Sequence, residues 1–341
     1  MGEVVTIGLD IAKSVFQVHG VDAVGGVVIR RQVRRAHLLR FFAKLPKCLI
    51  GIEACASAHY WGRELSKLGH QVRLMPPSYV KPYVKRQKND AADAEAICEA
   101  VTRPTMRFVE IKSPEQQSVM VLHRVRMMLM RQRTQLSNAI RAHMAEFGLV
   151  APIGREGLHS LIKLVETSDA RVPEEACACL QLLATQLKLL NSQILATDRR
   201  IRASARATET GRRLMGIPGV GPLLASALVA TIADPKAFKS GRNLAAWVGL
   251  VPKQNSSGGK ERMGGITKQG DRYLRQLLVV GALAVVRYAQ RHGARRPWLV
   301  QLLSRRATKV ATVALANKTA RIAWAIMTSG ESYLEPMVQA I

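Results

Sequence analysis

Residues 4–9 are apolar on both faces, the pattern of a central strand covered above and below. Two further strands are expected at Val15–Val21 and at residues 26–33, then a helix over about 36–43 and a strand at 48–52. The pattern turns helical through residues 60–68, Gly69 ends that helix, and a strand at Gln71–Met75 stops at Pro76-Pro77. Residues 1–110 therefore read as an α/β domain. The period then changes. Ser113-Pro114-Glu115 suits a helix start, with proline in the first turn and acid near the positive end. Apolar positions Val119, Leu122, Met127, Leu129 and Leu136 carry the helix to about Phe147, where Gly148 closes it. A second long helix is expected over 174–206, so residues 111–208 read as an antiparallel helical arm with a loop region between its helices. Residues 209–341 read as a helical, basic third region.

Charge narrows the function. Fifty-one Lys and Arg stand against 24 Asp and Glu, a net charge of +27 in 341 residues. Such an excess repels itself unless a polyanion neutralises it, which points to nucleic acid. A membrane surface is the rival polyanion, but the apolar stretch 277–286 is too short to span a bilayer and the start of the chain has no signal-peptide pattern. The expectation is a protein with no membrane partner, cytoplasmic and nucleoid-associated when active. The five cysteines, Cys48, Cys55, Cys98, Cys177 and Cys179, form no C-x-x-C pair, so neither a zinc site nor a disulfide framework is indicated.

Against that basic background four carboxylates stand out. Asp10 follows the first strand and Glu53 the strand 48–52, both at the sheet edge where α/β folds keep their sites. Asp90 and Asp93, in Asn89-Asp90-Ala91-Ala92-Asp93, lie three apart on one face of an expected helix. Oxygen ligands of this kind suit Mg²⁺, as one ion or two. Taken singly, Asp90 reads equally as a helix cap and Asp93 as a solvated face. Glu95 and Glu99 on the same helix compete with them, since its rotation is not legible.

Two glycine-rich segments follow. Leu214-Met215-Gly216-Ile217-Pro218-Gly219-Val220-Gly221-Pro222 joins two helical stretches and resembles a helix-hairpin-helix element, whose backbone at Gly219 and Gly221 would approach a phosphate. Further on, Ser256-Ser257-Gly258-Gly259 is set among Lys260, Arg262, Lys268, Arg272 and Arg275. Alone it is a flexible turn. Among cations it suits a serine nucleophile, whose alkoxide and phosphorane charge they stabilise.

The motifs Gly8-Leu9-Asp10, Gly51-Ile52-Glu53-Ala54, Asn89-Asp90-Ala91-Ala92-Asp93-Ala94, Gly216-Ile217-Pro218-Gly219-Val220-Gly221-Pro222, Gly249-Leu250-Val251-Pro252, Ser257-Gly258-Gly259-Lys260 and Lys268-Gln269-Gly270 occur in that order. In them the chain resembles, over nearly its whole length, the DEDD-type insertion-sequence transposases, the bridge-RNA-guided serine recombinases related to site-specific DNA invertases. The resemblance implies a ribonuclease-H-like (Holliday-junction-resolvase-like) domain over 1–110, a coiled-coil arm over 111–208 and a helical transposase domain over 209–341. It also implies a metal tetrad of Asp10, Glu53, Asp90 and Asp93, and Ser257 as the residue joined covalently to DNA, with Ser256 left open. A structured guide RNA, DNA of element ends and target, and a homo-oligomeric dimer or tetramer are the partners it implies. An invertase of the same family and a metal-dependent branched-DNA nuclease are the nearest alternatives. No stacking-aromatic signature marks the RNA partner, with aromatics at 5%.

Residues 237–341 hold 17 Lys or Arg against 4 Asp or Glu. Affinity for nucleic acid is therefore expected to fall steeply and log-linearly with salt through counterion release. Fluorescence anisotropy across a salt series checks this; a flat response would assign the surplus charge to something other than phosphate.

Overall fold

Alternation along β1 (Thr6–Asp10) sends Ile7 and Leu9 to one face of a sheet and Thr6, Gly8 and Asp10 to the other. The computed structural model describes residues 2–85, 89–292 and 296–335. In it β1 is the centre of a five-stranded sheet of order β3-β2-β1-β4-β5. Strands β2 (Val15–Val21) and β3 (Val27–Arg34) run antiparallel, while β4 (Leu49–Glu53) and β5 (Gln71–Met75) run parallel to β1. The expected first and fourth strands begin one or two residues early. The observed bounds make Asp10 and Glu53 the last residues of their strands. The helix expected over 36–43 is a 3-10 turn, Arg35–His37, followed by the short α1 (Leu38–Phe42).

Helices α1 and α2 (Ala58–Lys67) cover the Ile7–Leu9 face. Their Leu38, Phe42, Trp61 and Leu65 are buried with Ile50 and Ile52, and Phe16 meets Trp61 edge-on at 5.2 Å. The opposite face takes α3 (Pro77–Val80) and α4 (Asp90–Val101), with Met75, Val80, Ile97 and Val101 in its own cluster. Two glycines facing each other across β1 and β4, Gly8 and Gly51, set how closely α4 lies on the sheet. A Cβ on Gly8 would stand 2.0 Å from the Ala94 carbonyl oxygen, and one on Gly51 2.8 Å from Val101 Cβ. No side chain fits at Gly8 unless the helix lifts.

This sheet unit comprises residues up to Gln116 with Ile232–Ala237; Gln117–Thr231 and the residues from Phe238 onward form a second compact unit. Helix α5 (Pro114–Glu146) opens on a reciprocal cap: Gln116 N–H donates to Ser113 Oγ and Ser113 N–H to Gln116 Oε1. It pairs antiparallel with α7 (Glu174–Ala207), through the Arg126–Asp198 ion pair, then Leu129 with Leu190 and Ile194, then Ile140 and Met144 among Leu180 to Leu187. Between them the expected loop region contains a helix, α6 (Arg155–Glu166), which buries Leu161, Ile162 and Val165 in the same cluster. The remainder is helical: α8 (Glu209–Met215), α9 (Pro222–Thr231), α10 (Gly241–Val248), α11 (Arg272–His292), α12 (Pro297–Arg305) and α13 (Thr308–Ser329). One hairpin, β6 (Pro252–Gln254) with β7 (Met263–Ile266), interrupts them. Buried His123 ties three of the helices, its Nδ1 2.9 Å from Tyr273 Oη and its Nε2 3.1 Å from Ser226 Oγ. Burial pushes its pKa down to about 4, so it is neutral at physiological pH. Among the described residues no helix is long and apolar enough to cross a membrane.

Gly8→Ala is expected to destabilise the protein by at least about 1–3 kcal/mol, since overpacking against backbone finds no rotamer to relieve it. Gly221, whose Cβ would meet nothing within 4 Å, should tolerate alanine. Thermal melts of the two variants check this, and equal melting temperatures would contradict the seam.

Candidate functional site

The sheet's alternation delivers the first two carboxylates. Asp10 lies two residues beyond Gly8, and Glu53 two beyond Gly51, so both emerge on the α4 side at the ends of adjacent parallel strands. Asn89 caps α4, its side chain accepting from the Ala92 N–H at 2.8 Å, which puts Asp90 and Asp93 in the first helical turn. One carboxylate oxygen from each of Asp10, Asp90 and Asp93 then lies within 4.8 Å of the others. Glu53 is close enough to act on the same charge. Burial, then Asp93, Asp90 and Glu53 in turn, push the Asp10 carboxyl up to about 6. The structure also separates the competing acids of α4: Glu95 pairs with Lys85, and Glu99 with Arg103 one turn on.

The donor set fits a hard divalent cation. It is all carboxylate oxygen, with no imidazole or thiolate among the converging ligands. Like charges pressed together at a half-buried position call for a counter-charge. Asp10, Asp90 and Asp93 are the residues that would hold the ion, with Glu53 beside them. Gln17, opposite Asp10 on β2, is buried on the same face, as is His19 two residues on.

The serine segment is a hairpin tip. Asn255 N–H donates to Arg262 O, and Lys260 N–H to Ser257 O, closing a two-residue turn in which Gly258 and Gly259 take φ of 53° and 75°. Two successive positive φ values are the geometry that matches the twist of a hairpin and that glycine adopts without strain. The two serines differ. The Ser256 hydroxyl accepts the Arg262 backbone N–H at 3.2 Å. Ser257 is exposed beside the glycines, and its hydroxyl has no hydrogen bond among the described residues. Lys260, Arg262, Lys268 and Arg272 are exposed around the loop. Arg275 is turned elsewhere. Its Nη1 donates to the Val248 and Gln269 carbonyls at 2.8 and 3.0 Å, clamping the end of α10 to the segment before α11.

The Gly219 and Gly221 turn joins α8 to α9 as expected. Its glycines have separate duties. Gly219, at φ 87°, is pressed on α11, where a Cβ would meet the Gly281 carbonyl oxygen at 2.8 Å; Gly221 is exposed and open.

Comparison with known proteins covers both glycine-rich segments and the acidic cluster. Residues 7–148 match a DEDD transposase family of IS110, and residues 211–296 match the family described as transposase IS116/IS110/IS902. The chain is 51% identical to the "Probable family 20 transposase" of Pseudomonas aeruginosa over 96% of its own length and 98% of that protein. It is 39% identical to the transposase for insertion sequence element IS1328 of Yersinia enterocolitica, covering 97% of this chain and 98% of the other. The transposase for insertion sequence element IS1111A of Coxiella burnetii is 40% identical, over 98% of this chain and 92% of that one.

A proton and a metal ion compete for Asp10. Because its carboxyl is pushed up to about 6, Mg²⁺ or Mn²⁺ affinity is expected to rise as pH rises through about 6, where the proton leaves. Asp10→Asn should weaken binding and flatten that dependence, whereas Glu95→Gln and Glu99→Gln should leave both nearly unchanged. Calorimetric titrations decide; pH-independent affinity in the parent protein would rule out this cluster as the site.

Proposed function

The chain belongs to the IS116/IS110/IS902 family of transposases, and from that premise we propose that it cuts and rejoins the DNA of a mobile insertion sequence through a covalent bond to Ser257. It is a DNA-processing enzyme with an acidic cluster suited to metal. The observation that carries the reading is the convergence of Asp10, Asp90 and Asp93 at the strand ends, in a chain otherwise dominated by cations.

In this reading the Ser257 Oγ attacks a DNA phosphorus. The new P–Oγ bond replaces the bond to one sugar oxygen, the serine proton departs, and the displaced sugar oxygen leaves as a hydroxyl after taking up a proton. Attack by the hydroxyl of another strand reverses these changes and regenerates the serine, so the phosphoester is conserved rather than hydrolysed. Lys260, Arg262, Lys268 and Arg272 offset the charge that develops on the phosphorane, and the open glycine turn lets the hydroxyl be aimed. Asp10, Asp90 and Asp93 would hold one or two divalent ions such as Mg²⁺, which when bound would supply charge stabilisation to phosphate oxygens. Ser257 is preferred to Ser256 because the Ser256 hydroxyl is engaged in the hairpin.

The mixed sheet with carboxylates at adjacent strand ends supports a ribonuclease-H-like domain over residues 1–110. The α5–α7 pairing supports a coiled-coil arm over 111–208, and the α8–α9 turn a helix-hairpin-helix contact to backbone in a transposase domain over 209–341. Guidance by a structured RNA and assembly as a dimer or tetramer complete the proposal; the net charge of +27 supports more polyanion than one duplex contact needs.

Ser257→Ala is expected to abolish the protein–DNA adduct while DNA affinity stays within about twofold, since cations carry the binding. Ser256→Ala should keep activity. Asp10→Ala or Asp93→Ala should abolish recombination with DNA still bound. Denaturing gels of trapped complexes check all four: if the outcomes of the two serine variants exchange, Ser256 is the nucleophile, and if the double variant still cleaves, water attacks and the protein is a metal-dependent nuclease.

A further inference from the structure

A cavity of about 770 Å³ opens among α10, α12 and α13. Arg242, Lys318 and Arg321 line it, and none of the three forms an ion pair among the described residues. The three helices that build it contain no Asp or Glu, including all 22 residues of α13. Gly241 brings the first turn of α10 against the backbone of Arg321, where a Cβ would stand 3.0 Å from Arg321 Cα. Two of the chain's four tryptophans, Trp298 and Trp324, also line the cavity. Trp298 is 40% exposed, and Lys318 Nζ stands 4.4 Å from its ring centroid.

We propose that this cavity binds an unpaired stretch of polynucleotide, holding its phosphodiester charge with Arg242, Lys318 and Arg321 and stacking a base on Trp298. Cations with no acid to neutralise them fit a polyanion and oppose an apolar peptide, which would bury them unpaired. An indole within the same cavity selects bases free of a duplex, because a paired and stacked base offers no face to it. The lysine already over the ring joins the charge and stacking elements into one surface. The inference goes beyond the proposed chemistry and needs neither Ser257 nor a metal. It is read by binding alone, so it fails separately from the covalent mechanism.

The test uses the full chain with labelled oligo-dT, oligo-U and a duplex of equal length. Trp298→Ala is expected to weaken single-strand binding about fivefold or more while duplex binding holds, as loss of one stacked base predicts. Trp298→Phe should restore most of it. Neutralising Arg242, Lys318 and Arg321 together to Gln should weaken single-strand binding at least about tenfold more than neutralising exposed Arg131, Arg155 and Lys163 on the arm. Should Trp298→Ala melt early, Trp298→Leu keeps the apolar bulk and still removes the stacking face. A larger loss on oligo-U assigns the cavity to RNA, and a larger loss on oligo-dT assigns it to DNA. Unchanged single-strand binding in the tryptophan variants, an equal loss on duplex, or a cation triple no weaker than its control overturns the proposal.

Discussion

The contact of α4 with the glycine pair Gly8 and Gly51 decides whether the acidic cluster exists. Carboxylates share an ion only when their oxygens stand a few ångströms apart, and Asp90 and Asp93 are carried by the helix while Asp10 and Glu53 are carried by the sheet. With Ala94 O and Cys98 N within 2.0 and 2.4 Å of where a Gly8 side chain would begin, the helix lies as low as backbone allows. Glycine inside a strand weakens it, because it packs nothing and orders at greater entropic cost. Here that weakness is offset by the buried contacts of Ala94, Ile97, Cys98 and Val101. The same two-residue period that aims Gly8 at α4 aims Asp10 there as well, so seam and site are one feature.

Electrostatics completes what packing begins. In a chain with more than twice as many bases as acids, the default fate of a carboxylate is an ion pair, and Glu95 and Glu99 meet it through Lys85 and Arg103. Asp10 is placed otherwise: its neighbours are Asp93, Asp90 and Glu53, and burial and repulsion together hold its carboxyl near 6. Such crowding lowers stability above that pH unless a cation enters, which marks a site built for a ligand rather than for the fold.

Much of this was legible in the chain. Strand-end carboxylates and the helical Asp-x-x-Asp follow from periods of 2 and 3.6, and the structure brings Asp10, Asp90 and Asp93 together. The rotation of α4 was not legible, because Asp93, Glu95 and Glu99 lie on a helix whose buried stripe of small residues gives little contrast; the Lys85 and Arg103 pairs settle it. Helix α6 was legible but not read: Leu158, Leu161, Ile162 and Val165 stand at i, i+3, i+4 and i+7 along its three turns. Arg275 was grouped with the phosphate-facing cations because sequence reports charge and not direction, and only the fold shows its guanidinium turned onto the carbonyls of Val248 and Gln269.

Composition conceals position in the same way. Aromatics at 5% argue against base stacking only if they are spread evenly, and they are not. Trp298 on α12 and Trp324 on α13 are brought to one cavity by helices that exclude every acid, while Phe16, Phe42 and Trp61 serve the sheet core. A basic surface free of acids has no folding rationale: opposite charges at helical spacing would lower its self-repulsion at no loss of packing. In the proposed reading a polyanion relieves the repulsion among Arg242, Lys318 and Arg321. The acidic cluster and the acid-free cavity are thus the same argument with opposite sign, each a concentration of like charge that becomes favourable only when its ligand arrives.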